Sequence, residues 1–332
     1  MDPRYIPRVI YAGVDEAGYG PLLGPLCVGL SAFRLADAEA DSIGGGAPDL
    51  WKMLSRGVCR KPKDARRRVA VADSKKLKSG GKQPLVHLER GVLAFLGGET
   101  PKDDRDYLVR LGMSPRATRA TPWHAHRLPV PVALTEGEVA IARNLVRGAM
   151  DDSGCAIEAL GVSALDAPAF NALYGELGNK ASVNMSLVFD AVRRVDLLRG
   201  DLPAFVAVDR QGGRSDYTAE LEAHVARGAA ITTLVADDER SVYRIDADGT
   251  APLLVSFEVG AEERHLPVAL ASMAAKYTRE VSMRRLNAYF SERVPGLEPT
   301  AGYVEDGRRY LAEVKPVLAR EAIPERDFVR VV

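Results

Sequence analysis

Apolar and polar positions along this chain follow two rhythms: short unbroken apolar runs, and longer stretches with helical spacing. Residues 9–14 (Val-Ile-Tyr-Ala-Gly-Val) and 26–33 belong to the first kind and read as a hairpin or as neighbouring buried strands. Residues 66–72 form a third short run, and Phe205-Val206-Ala207-Val208 is a fourth that ends in Asp209. Residues 241–246 and 253–259 resemble the two arms of a hairpin. In the second rhythm, Leu85, Leu88, Val92 and Phe95 predict a helix over 84–96. Leu187, Val188, Ala191, Val192 and Val195 predict another over 182–198. A helix over 135–150 has Thr135 as N-cap and Glu138 at the capping-box position. Residues 218–227 and 267–290 complete the helices. The alternation is that of an α/β protein.

Two stretches break these rhythms. Residues 36–50 are polar and Gly-rich (Gly44-Gly45-Gly46-Ala47-Pro48), as in a surface insertion. Residues 98–135 carry Pro101, Pro115, Pro122, Pro129 and Pro131 with Trp123, His124 and His126, which predicts an irregular excursion, not a domain. The His-x-His pair has no further ligands around it, so a loop is the better reading than a metal site. No internal repeat stands out.

Composition narrows the picture. A chain of 332 residues holds one large domain or two small ones. Lys plus Arg and Asp plus Glu both number 45, so the net charge is zero and any polyanion site must be local. Cys27, Cys59 and Cys155 are far apart, which indicates neither a zinc site nor a disulfide framework and suits a reducing compartment. No apolar run approaches the roughly 20 residues that span a bilayer. Met1-Asp2-Pro3-Arg4 lacks a signal-peptide pattern, so a cytoplasmic protein without membrane contact is expected.

The candidate chemistry begins where the first apolar run ends, at Val14-Asp15-Glu16-Ala17-Gly18-Tyr19-Gly20-Pro21-Leu22-Leu23-Gly24-Pro25. Two carboxylates at a strand end, beside a glycine loop able to approach a phosphate backbone, suit a Mg²⁺ site, because Mg²⁺ takes hard oxygen ligands. Asp209 repeats the design of an acid closing a buried strand. Asp73-Ser74-Lys75-Lys76-Leu77 follows the third run, and Leu270-Ala271-Ser272-Met273-Ala274-Ala275-Lys276 lies in the last long helix. Ser272 and Lys276, at i and i+4, share a helix face. A Gly pair flanked by Arg210 and Arg214 follows Asp209 (Arg210-Gln211-Gly212-Gly213-Arg214), an arrangement able to hold phosphate through amides and guanidinium forks.

Taken in order, these segments resemble the type 2 ribonuclease H family, whose members carry a DEAGRGPLAGP loop, a DSKKL segment, a strand ending in Asp and an AASILAK helix preceded by a fourth acid. The resemblance covers the core elements and leaves insertions at about 36–65 and 98–150. It implies a single ribonuclease H-like domain over 1–332, with a mixed, mainly five-stranded sheet flanked by helices and a helical segment at about 280–332. It further implies metal-dependent hydrolysis of RNA in RNA–DNA hybrids, with two Mg²⁺ or Mn²⁺ ions activating water and stabilising the leaving oxygen. Asp15, Glu16 and Asp209 are three of the ligands so implied. Counting back without gaps from Ser272 puts the fourth on Glu262, with Glu263 beside it as the alternative. The implied substrate contacts are Gly18, Tyr19, Gly20, Lys75, Lys76, Arg210, Ser272, Lys276 and Tyr303. The loop departs from the family at Tyr19, where the family has an arginine. A rival reading follows from that departure and from Glu in place of the family's fourth Asp: a divergent member that binds nucleic acid, or cuts another nucleic acid structure, with hybrid cleavage lost.

Overall fold

The computed structural model describes residues 8–36, 47–77, 84–113, 121–210 and 212–331. Met1 to Arg4, the glycine run 44–46, Pro115 and Gln211 lie outside the described residues. The chain opens with strands β1 (Arg8–Ala17) and β2 (Leu26–Ala36), then a short helix α1 (Leu50–Met53) and strands β3 (Val58–Cys59) and β4 (Val69–Ala70). Helices α2 (Ser74–Leu77), α3 (Val86–Leu96), α4 (Asp104–Arg110) and α5 (Glu136–Asp152) follow, and then strand β5 (Cys155–Leu165). Helices α6 (Ala167–Leu177) and α7 (Lys180–Arg199) precede strand β6 (Ala204–Asp209) and helix α8 (Thr218–Leu221). Strands β7 (Ala230–Ala236), β8 (Arg240–Asp246) and β9 (Leu253–Glu258) come next, then helices α9 (Ala261–Arg264), α10 (Leu266–Ser291) and α11 (Val304–Arg320).

The described residues form a seven-stranded mixed sheet in the order β5-β2-β1-β6-β9-β8-β7. Its centre, β1-β6-β9, is parallel, so these three strands deliver their C-terminal ends to one edge. The outer pairings are antiparallel. The expectation of five strands is corrected by β5 and β7, which form the two borders. Both are weak in sequence terms: β5 is rich in Ala, and β7 is largely exposed. Border strands take their conformation from the neighbour they pair with, not from local preference. The expected run 66–72 shrinks to β4, which pairs with β3 outside the main sheet.

Alternation along β1 sends Tyr11 to one face, and Ile10, Ala12 and Val14 to the other. On the Tyr11 face lies α10, with α3 and α5 beyond it, and on the opposite face lies α7. Helix α10 is buried almost all round, which explains why a 26-residue helix shows so little polar striping. It lies unusually close to the sheet because β1 and β2 offer glycines under it. A Cβ built on Gly13 would come 2.1 Å from the Val268 amide nitrogen, and one on Gly29 would come 2.1 Å from the Ala271 carbonyl oxygen.

The capping box at Thr135 and Glu138 is present as expected. The described residues of the excursion 98–135 form α4 and a 3-10 turn at Pro122–Ala125 and are otherwise irregular. They are fixed by buried acids. Glu89 accepts from the amides of Val132, Ala133 and Leu134 at 2.5, 2.7 and 2.8 Å, and Asp104 pairs with Arg285 at 2.5 Å. The segment after residue 280 is helical through α10 and α11, but Phe328–Val331 runs back along the loop after β1, with Val329 bridged to Leu23. That departs from an all-helical C-terminal segment. Among the described residues, no helix is long and apolar enough to cross a membrane.

Candidate active site

Because β1 and β6 are parallel with Val14 opposite Val208, Asp15 and Asp209 are the next residues on two strands about 4.8 Å apart. Both follow residues that pack against α7, so the period of two turns them toward α10. Glu16, one residue on, has the other parity. Asp209 Oδ1 accepts from the Ala261 amide at 2.8 Å, closing the sharp turn at Gly260 that leads into α9. That turn sets down Glu262, whose side chain hydrogen-bonds to the Asp209 carboxyl. Its neighbour Glu263 instead faces Lys76, with Oε1 2.5 Å from Nζ. The two candidates for the fourth acid therefore point to different partners, and Glu262 is the one beside Asp209.

The acids press on one another. Burial pushes the Asp15 carboxyl well above its usual range, as do the charges of Glu16 and Asp209, while a hydrogen bond from Ser272 opposes the shift. Burial lifts Asp209 to about 7, with Glu262 next in effect. The donor set fits a hard divalent cation: four carboxylates without sulfur, one of them (Glu262) with a buried Oε2 that has no hydrogen-bond partner. The set is gathered but not drawn in, since among the described residues no three such side chains are placed to hold an ion.

A stability prediction follows from the Asp209 shift. Its folded pKa lies above the unfolded value, so the folded state prefers the protonated acid and loses stability as pH rises from about 4 to about 7. Asp209→Asn carries no such penalty. It should raise Tm in metal-free buffer near pH 8, by the equivalent of about 1–2 kcal/mol after allowance for partial solvent access. The gain should vanish near pH 4. Thermal melts at the two pH values check both the sign and the window, and equal gains at both would refute the electrostatic cause.

The remaining expected residues divide by environment. Ser272 is buried against Ser74, hydroxyl to hydroxyl at 3.2 Å, which brings the second motif under α10 and beside Asp15. Lys75 and Lys76 are exposed on α2, Lys76 in its pair with Glu263. Lys276 is half-buried and paired with Glu280 at 2.9 Å. Tyr303 is 55% exposed at the start of α11. Gly18 has φ +86°, and a Cβ there would come 2.6 Å from the Pro25 carbonyl, so glycine is required on both counts. Gly20 has open space around it. Arg210 is turned inward: its Nε donates to Arg214 O at 2.7 Å and its Nη1 to Asp238 O at 2.7 Å. With Arg214 paired to Glu220 of α8, both guanidiniums after Asp209 have partners within the protein. The Trp123–His124–His126 segment is remote in role, its Trp123 packed among Tyr289, Phe290 and Phe328.

Sequence reasoning passed over Glu258. It ends β9 directly beside Asp209, the third acid at the C-terminal edge of three parallel strands. Its burial would raise its pKa, but a hydrogen bond and charge from His265, with help from Ser256 and Arg264, hold it down at about 2. His265 in turn hydrogen-bonds to the Tyr11 hydroxyl at 2.6 Å. Glu258 is thus an internally neutralised anion that braces the α9 turn. Its signal, an acid closing an apolar run, was the same one that identified Asp15 and Asp209.

No protein-family model and no curated protein matches the chain. Among solved structures it is similar to ribonuclease HII of Archaeoglobus fulgidus, determined in complex with PCNA, at 17% identity and a TM-score of 0.43, covering 97% of this chain and 94% of that one. It is similar also to ribonuclease H2 of Pyrococcus horikoshii OT3, at 14% identity and a TM-score of 0.37, covering 97% and 92%. A third is Bst-RNase HIII in complex with Mn²⁺, at 13% identity and a TM-score of 0.42, covering 98% and 67%. Identity and TM-score are low throughout, so the functional reading rests on this chain's own residues.

Proposed function

We propose that this chain is a ribonuclease of the type 2 H kind, a metal-dependent endonuclease that hydrolyses RNA in RNA–DNA hybrids. The observation that supports the reading is that Asp15 and Asp209 end two adjacent parallel strands, with Glu16 next to Asp15 in the chain and Glu262 beside Asp209. The ends of parallel strands are where α/β sheets place their sites. Mg²⁺ or Mn²⁺ would be held by these four carboxylates. Bound there, such ions supply an activated water and a charge clamp on the leaving oxygen.

The chain's own groups do the rest. Ser272 lies beside Asp15 and favours its charged form, while the Ala261 amide donates to Asp209 and holds it at the α9 turn. Gly18 and Gly20 let the backbone approach a ribose, whose 2′-hydroxyl distinguishes RNA from DNA. Lys75, Lys76 and Lys276 offer point charges to phosphate, and the exposed Tyr303 offers a ring face for stacking. Arg210 acts by shaping the loop after Asp209. We read residues 1–332 as one ribonuclease H-like domain acting in the cytoplasm, with additions at about 36–65 and 98–150.

The deciding experiment is cleavage of labelled hybrid in Mg²⁺ or Mn²⁺, beside DNA duplex, RNA duplex and a DNA duplex with one embedded ribonucleotide. Hybrid cleavage leaving 5′-phosphate and 3′-hydroxyl ends is expected, with runs of ribonucleotides preferred over a single one because Tyr19 removes a guanidinium from the loop. Binding without cleavage of any substrate would favour the rival, a nucleic-acid binder.

A further inference from the structure

The loop from Gly18 to Pro25 lacks a cation in sequence but not in space. The Lys180 ammonium lies 4.7 Å from the centre of the Tyr19 ring. Behind the same loop, Arg330 donates to the carbonyls of Gly18, at 2.7 Å, and Pro21. From α10, Arg279 donates to the carbonyls of Pro25, Leu23 and Ala301 at 2.9, 3.1 and 2.7 Å. Three cations thus converge on eight residues of a chain whose net charge is zero.

Glu280 acts on Arg279 through its charge, but among the described residues no such acid is paired with the ammonium of Lys180. Among the described residues Lys180 forms no ion pair, and the first turn of α7, which it opens, contains no acid. A lysine at that position also opposes the helix dipole. Arg330 is 1% exposed, and its Nε and Nη1 have no hydrogen-bond partner, only the face of Phe170 near the guanidinium. A buried, uncompensated cation group is costly unless an anion completes it. Tyr19, 38% exposed, keeps the ammonium at the surface, where such an anion can reach it.

We propose that Lys180, stacked on Tyr19 and backed by Arg279 and Arg330, seats a backbone phosphate of the nucleic acid beside the Asp15–Glu16 carboxylates. Tyr19 lies four residues after Asp15, at most about 14 Å along the chain, so the seat is close to the scissile bond. The phosphate contact belongs to Lys180, while the two arginines hold the loop and supply field from behind. The inference rests on the nuclease reading and adds to it a substrate-binding residue from α7, an element to which no motif had pointed.

The test is anisotropy of a labelled hybrid in EDTA, titrated over a range of KCl, so that binding is read without cleavage. Each phosphate neutralised contributes nearly one unit to the slope of log K against log salt. Lys180→Met should make that slope shallower by about one and weaken low-salt binding by roughly tenfold. Lys180→Arg should restore both, and Tyr19→Leu should give an intermediate loss. Wild-type slope and affinity in Lys180→Met would overturn the seat while leaving the nuclease reading intact. Failure of the wild type to bind hybrid at all would overturn the nuclease reading beneath it. Inorganic phosphate should compete with hybrid for the wild type more strongly than for Lys180→Met, and equal competition would count against the seat.

Discussion

Asp15→Asn is expected to reduce hybrid cleavage by about 10²–10⁴-fold while leaving the fold intact. The carboxylate is 7% exposed and belongs to none of the hydrophobic clusters, and asparagine has the same shape. What disappears is one proposed metal ligand and its carboxylate, at the point where Asp209 and Glu16 already crowd it. Metal-centred charge stabilisation is worth several kcal/mol in such reactions, and each 1.36 kcal/mol is a factor of ten in rate. A second readout separates loss of metal from loss of chemistry. Mg²⁺ or Mn²⁺ should raise the Tm of the wild type by mass action, and this increase should shrink in Asp15→Asn. In metal-free buffer the variant should melt no lower than the wild type, because a strained buried acid has been removed. Unchanged cleavage under identical metal and hybrid would remove Asp15 from the site.

Gly29→Ala should be strongly destabilising, as should the corresponding change at Gly13, because both glycines lie directly under the backbone of α10. Gly29 lies opposite Asp15 on β2, and the added Cβ would come 2.1 Å from the Ala271 carbonyl oxygen and 2.8 Å from its carbon. The obstacle is helix backbone, not a flexible side chain, so α10 must lift from the sheet. Overpacking commonly costs 1–3 kcal/mol, and a helix buried along most of its length has little room to yield, so about 3 kcal/mol or more is expected. Cleavage should fall as well, since Ser272 follows Ala271 and its hydrogen bond to Asp15 depends on the height of α10. Chemical denaturation with a midpoint within error of the wild type would show that the helix slides at little cost.

Much of this site is readable in one dimension because its parts are local. An acid closing an apolar run, as at Asp15 and Asp209, needs only strand period and polarity to be seen, and the Thr135–Glu138 cap is complete within four residues. The glycines after Glu16 likewise announce a backbone conformation, and Gly18 adopts the positive φ that permits it. What tertiary structure alone decided is which side chains meet across long sequence separations. Glu262 and Glu263 are adjacent and chemically identical, and only the turn fixed by Asp209 sends one toward the acids and the other to Lys76. Arg210 reads in sequence as a phosphate fork, and only the fold shows its guanidinium donating to the Arg214 and Asp238 carbonyls. Strands β5 and β7 needed partners before they could be strands, because edge pairing outweighs weak local preference. Lys180 and Arg330 have no motif around them. Their role comes from where α7 and the segment Phe328–Val331 pack against the loop after β1, and packing is set by the whole buried surface, not by neighbours in sequence.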